Sequence, residues 1–573
     1  MVRSGGPAAR CVTQATPARG RIDGRPRRTD ARWGVAMPVR ARTSRTIAVV
    51  AALCAALVAT ACGSASPPAE GPQRVHLVDP YGGDPAKEGD PQRGGTLVIG
   101  NDREIISFDP TRQNANLAAL GVYDSLLKLM PDGSAQPYLA KSMSTSDDGT
   151  TWTLGLREGV RFSDGTPLDA NAVVVNTQRH IDKAASPAHV YAMQIASMTA
   201  VDPLTVRFTL KAPLGDFPTV FAQPLSSGTL GMIISPAALT RYGDDIGNHP
   251  VGAGPFVLTS WVRDNKMELV RNPDYWQQGK PYLDGVEIRP LPDTDSRYTT
   301  MTNGDVDMIN GGFNQELVRA FTNPDLRVYY GPGSGGVLNY FNVTKAPFDD
   351  PRMRAAAVAA MDPQALGASF FSNQLVAADS LFDGSTRWHT PAASDAYPRY
   401  DQARAKDLVA QYVASGGDPT FSYFTDRSSV PLGEFVQASM AAVGVTVHVQ
   451  YFDLAQFAGN VLQAGDFQMA SGLSAFDHPF PGAGRIVQTG GSVNYGKYSN
   501  PQVDTLLADA AATTDPDRRA SDYQQVELAV NKDLPIQWLS RSYLSTITKP
   551  SVKGVDRYVT RDLYFAGMWK EQS

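Results

Sequence analysis

Strand-like and helix-like stretches alternate through most of this chain, and that alternation predicts an α/β protein of two or three lobes. Two further observations agree. At 573 residues the chain exceeds what one ordinary domain holds. Its composition, 42% hydrophobic and 19% charged, supplies enough apolar mass for large cores. The elements follow in order. Two glycines lead into a strand at Gly95–Gly100, and further strands are expected at 152–156, 205–210, 266–271 and 286–289. Thr205–Leu210 (TVRFTL) alternates cleanly, so one face is buried and the other wet. Helices are expected at 117–129, rich in Leu and Ala, and at 170–181, behind Asp169 as N-cap. Asp350-Pro351 opens another, with Asp as cap and Pro in the first turn. One more spans 401–414 and stops at Ser415-Gly416-Gly417. Val445, Val447 and Val449 then alternate with polar residues in a late strand.

Residues 1–45 carry eleven arginines and two acids (Asp23, Asp30). Subtracting them from 52 basic and 57 acidic residues leaves 41 against 55, a net charge of -14. A body this acidic disfavours nucleic acid, whose phosphates need a basic face. From Met37, the expected translation start, a basic stretch with Arg40, Arg42 and Arg45 precedes an apolar run, Thr46–Ala61. Small residues then lead to Cys62, so residues 1–61 read as an export leader. Sixteen apolar residues fall short of the ~20 of a spanning helix. Ala59-Thr60-Ala61-Cys62 resembles the lipobox of bacterial lipoproteins, whose cysteine is acylated and becomes the new N-terminus. That implies a protein lipid-anchored to the outer face of the cell membrane; an ordinary signal peptide cut nearby, or an uncleaved anchor, is the alternative. The other cysteines, Cys11 and Cys54, lie in the leader, so the mature chain is expected to hold no disulfide. Residues 62–93, rich in Pro and small polar residues, read as a flexible tether.

Beyond the tether, a series of motifs resembles the peptide/nickel class of ABC-transporter solute-binding proteins. They run GGTLVI from Gly94, Phe108-Asp109-Pro110, YDSLL from Tyr123, and Pro131-Asp132-Gly133. DGTTWTLGLR from Asp148 and GVRFSDGTP from Gly159 follow. Next come GAGPF from Gly252, RNPDYW from Arg271, Gly304–Asp307, PFDDPRMR from Pro347, and YSNPQVD from Tyr498. Locally most specify scaffold. Ser163–Pro167 is a turn with Gly165 free to take positive φ. Tyr275-Trp276 is aromatic packing after a turn. The resemblance implies a bilobal, periplasmic-binding-protein-like (Venus flytrap) fold with an extra subdomain in the first lobe. The first lobe would be residues 94–332 plus 535–573, and the second 333–534. Glycines in Tyr330–Gly336 suit a hinge.

In peptide-binding members an aspartate after a second-lobe strand pairs with the peptide's ammonium, often with a Trp shortly before it. Here the matching stretch is Phe467–Pro481. Counted without gaps, Asp477 takes the aspartate position and Ser474 the Trp position. An alignment anchored on Gly472 puts Phe476 there instead. A buried ammonium needs a compensating charge; a carboxylate capping the turn before Pro479 is the plain alternative. Phe476, His478 and Phe480 could supply apolar or stacking surface. The resemblance adds Asn116 and Tyr123 as further cleft candidates, and Tyr340 and Phe341, just past the expected hinge, join them. No G-x-S-x-G, Walker loop, H-E-x-x-H or close histidine pair occurs, so no catalysis, cofactor or metal is expected. The expected function is capture of a peptide or peptide-like solute by a monomer that delivers it to an ABC permease with its ATPase. The alternatives are a non-peptide solute, or an envelope lipoprotein that scaffolds cell-wall assembly.

Overall fold

The computed structural model describes residues 77–78 and 81–572, apart from 113–118, 225–227, 313, 331–332, 372–375, 542–544, 559 and 561. The leader, Cys62 and Asn116 lie outside the described residues.

Two large sheets organise the molecule. The first is eight-stranded, and Thr96–Asn101 lies inside it, parallel to both Gly285–Pro290 and Met308–Gly312. Antiparallel strands Lys266–Arg271 and Phe256–Val262 finish one side; Ser545–Thr548, Arg327–Tyr329 and Leu77–Val78 finish the other. A four-stranded antiparallel sheet, Ala140–Thr145, Thr151–Leu156, Ile195–Asp202 and Thr205–Leu210, forms the extra subdomain of this lobe. Its alternation is as the sequence implies: Trp152, Leu154 and Leu156 point inward, as do Val206, Phe208 and Leu210. The second large sheet has five strands, in the order Val447–Phe452, Phe421–Asp426, Met469–Phe476, Ser334–Phe341 and Ile536–Ser540.

The helices start where their caps dictate. Asp169 accepts from the Ala172 amide at 2.9 Å, Asp350 from Arg352 at 2.8 Å, and Asp401 from Arg404 at 2.9 Å. Among the described residues no helix is long and apolar enough to cross a membrane.

Apolar side chains gather in two cores. One holds Leu97, Phe108, Phe208, Phe217 and Val286; the other holds Leu338, Phe341, Met353, Tyr423 and Trp538. The cores meet across the eight-stranded sheet, where Val328 and Ile309 join one while their neighbours Tyr329 and Met308 join the other. The chain leaves the eight-stranded sheet after Tyr329 for the five-stranded one at Ser334, and returns from Ser540 to Ser545. Arg327–Tyr329 pairs antiparallel with Ser545–Thr548 on one side, and Ser334–Phe341 pairs antiparallel with Ile536–Ser540 on the other.

Three expectations are corrected. The return to the first lobe does not come at residue 535: Ile536–Ser540 is still a strand of the five-stranded sheet, and the chain re-enters the other sheet at Ser545. Part of the stretch read as tether up to residue 93 is structured, at Leu77–Val78 and from residue 81 on. Leu77–Val78 adds a parallel strand beside Val328–Tyr329. Asp84 then caps the short helix Pro85–Glu88, and Glu88 accepts from the Gly554 amide at 2.7 Å and pairs with Arg327 at 3.5 Å. The helix expected at 117–129 stops at Val122, its described part being Ala119–Val122, and is followed by the strand Leu127–Leu129. Asp124 binds residues from another motif, and Pro131-Asp132-Gly133 folds Leu127–Leu129 back onto Ala135–Pro137 as a hairpin. Those partners outweigh helix propensity.

Candidate functional site

The strand Met469–Phe476 is paired along its whole length with Ser334–Phe341 on one edge. On its other edge Tyr423 and Phe424 pair only with Met469 and Ala470. Past Ser471, whose hydroxyl meets Thr425 at 2.8 Å, that edge carries no further strand among the described residues. Leu473 is 56% exposed there. An open strand edge presents backbone donors and acceptors to whatever lies alongside it.

Close approach of Ser334–Phe341 to its neighbours on both sides is set by glycine. Gly335 has φ +75° and Gly336 φ +144°, and a Cβ on either would lie 2.1 Å from the Ser474 carbonyl or 1.9 Å from that of Ser540. Ser474 sits opposite Gly336 and is half-buried.

Asp477 follows at the strand's end and reaches the first lobe. Its carboxylate accepts from the Thr560 amide, 3.3 Å from each oxygen, and from the Thr560 hydroxyl. Further lobe-to-lobe contacts flank it. A Cβ on Gly133, in the first-lobe hairpin turn, would lie 2.7 Å from the Trp388 ring and 3.4 Å from His478. Phe480 packs on Tyr191 at 5.8 Å and its carbonyl accepts from Gln223 at 2.8 Å. Farther out, Asp216 is buried beside Arg519 at 3.1 Å, and the Tyr523 hydroxyl donates to it at 3.4 Å. Burial pushes the Asp216 carboxyl up to about 7, with the Arg519 charge pulling the other way.

The other expected site residues divide. His478 is enclosed: its Nδ1 accepts from the Phe480 amide at 3.1 Å, capping the helix Pro479–Val487, and its ring meets Trp388 edge-on at 5.5 Å. Burial pushes its imidazole down to about 4, so it is neutral and serves as cap and packing surface. The structure gives Phe476, Tyr340 and Tyr123 to the core. Phe476 is 4% exposed, edge-on to Phe382 at 6.1 Å. Tyr340 lies near the far end of its strand, opposite Ala470, with its ring against Gly472 and Tyr495. Tyr123 is wholly enclosed, with Gly252 pressed on its ring. Sequence reasoning missed Thr560, Trp388 and the Asp216–Arg519 pair. No local spacing signals them, because each acts across the lobes. Among the described residues no group of three His, Cys, Asp or Glu side chains could hold a metal ion.

Residues 134–495 match the model of the bacterial extracellular solute-binding proteins, family 5 Middle. The chain belongs to that family. Among family relatives, the glutathione-binding protein GsiB of Salmonella typhimurium is 30% identical over 473 residues, 77% of this chain and 87% of that protein. Two solved structures share the fold. One is the ABC transporter-associated periplasmic binding protein DppA from Helicobacter pylori in complex with the peptide STSA, with TM-score 0.69, 23% identity and coverage of 84% of this chain and 99% of that one. The other is AgaA of A. tumefaciens R10 in complex with agropinic acid, with TM-score 0.71, 22% identity and the same coverage. Family 5 proteins bind solutes outside the cytoplasm.

Proposed function

We propose that this family 5 protein captures a short peptide or peptide-like solute carrying a free ammonium group and hands it to an ABC importer. The reading is carried by one observation: Asp477 stands at the end of an open-edged strand, at the meeting of the lobes. A peptide laid along the edge beyond Ser471 would gain main-chain hydrogen bonds. Its ammonium would meet the carboxylate in a site from which closure removes water, where such a pair is strong. The glutathione-binding relative and the peptide-bound fold neighbour support this ligand class. Acylation at Cys62 would hold the protein at the outer face of the membrane within reach of a permease.

The test is native mass spectrometry of protein from its own host, to identify a trapped ligand, followed by calorimetry with that ligand. Asp477→Asn is expected to weaken a free-amine ligand by at least about tenfold, since it leaves a buried ammonium unpaired. A trapped ligand without a cationic group would overturn the peptide reading. It would favour a non-peptide solute, as in the fold neighbour that binds agropinic acid.

A further inference from the structure

We propose that Thr560 is the first-lobe half of the subsite for the ligand's ammonium, a positioning residue that aims the Asp477 carboxylate across the cleft. This rests on the peptide reading above and adds a residue to it. Both donors of Thr560 go to Asp477: the amide to both carboxylate oxygens, the hydroxyl to Oδ2. Thr560 is itself 8% exposed, in the segment that follows the paired strand Val552–Lys553. The Tyr558 phenol beside it donates to the Ala222 carbonyl, which fixes the segment to the first-lobe core.

The two partners come from different lobes. Asp477 ends a strand of the five-stranded sheet, whereas Thr560 belongs to the C-terminal segment bound to the first lobe. Their hydrogen bonds therefore exist only when the lobes are shut. A carboxylate withdrawn from water stays a good partner for a cation when fixed donors replace its hydration. A carboxylate takes several hydrogen bonds at once, so donors from Thr560 and a ligand ammonium can share it. The subsite is thus split. The second lobe brings the charge, and the first brings the group that orients it, so the ammonium is held well only in the closed protein.

The experiment measures affinity by calorimetry for an equimolar tripeptide pool and for the same pool N-acetylated, using the full mature chain and its Thr560→Val, Thr560→Ser and Asp477→Asn variants. Melting temperatures first establish that each variant folds. Thr560→Val is expected to weaken the free-amine pool roughly tenfold and to leave the acetylated pool nearly unmoved; Thr560→Ser restores the preference. A merely structural role would weaken both pools alike, and that outcome overturns the proposal. So does a Thr560→Val variant that binds like wild type while Asp477→Asn loses the free-amine preference, which leaves the peptide reading standing. If Asp477→Asn changes nothing, or if neither pool binds the unaltered chain, the peptide reading fails and this inference falls with it.

Discussion

Asp124 joins two motifs that lie far apart in the chain. Its Oδ2 accepts from the Tyr275 hydroxyl at 2.7 Å and from the Trp276 indole at 2.6 Å. The sequence made Tyr275-Trp276 legible as aromatic packing, but not the partner 151 residues away, because a hydrogen bond between distant loops leaves no periodicity. Burial pushes the Asp124 carboxyl up to about 7, while the Tyr275 and Trp276 bonds pull it down. Between the unfolded carboxyl value of 3.8 and about 7, the native state therefore holds the proton more firmly than the unfolded chain. Stability carried by this group is present at low pH and is lost as pH rises through that window. Asp124→Asn has no such titration. Its melting temperature relative to wild type is expected to improve steadily from pH 4 to pH 7 in calorimetric scans, and a constant difference would show that Asp124 does not titrate there.

At the scale of elements, caps and alternation carried most of the legible information. Asp169, Asp350 and Asp401 start the helices expected of them, and Thr205–Leu210 is a strand with the expected inward face. Failures came where long-range contacts decide. Leu127–Leu129 has the composition of a helix and pairs as a strand, and Leu77–Val78 and Pro85–Glu88 have the composition of a tether and dock. Gly335 and Gly336 were expected in a hinge, and the structure places them inside a strand. Gly336→Ala is expected to destabilise the protein by about 2 kcal/mol or more, because the new methyl meets the Ser540 carbonyl at a backbone angle that side chains rarely adopt. Urea titration reads this as a lower midpoint, and an unchanged midpoint would mean the strands separate freely.

For the whole molecule, family motifs made the bilobal plan legible, and none of the contacts that hold the lobes together was. The plan rests on cores and sheets with local signatures. The closed arrangement rests on single pairs such as Asp216 with Arg519, brought together only by the complete fold. Arg519→Gln strips that buried carboxylate of its guanidinium. Leaving one partner of a buried pair alone is costly, so the variant is expected to open in the absence of ligand and to bind about tenfold more weakly. Small-angle scattering would register a larger radius of gyration for the ligand-free variant than for the ligand-free parent. Equal radii would show that the pair does not govern closure.

The two connections between the large sheets are tied together at both ends. Arg327–Tyr329 is laced to Ser545–Thr548 on one side, and Ser334–Phe341 to Ile536–Ser540 on the other. A nick in either connection would therefore leave the two sheets covalently joined by the other, with both ladders still in place.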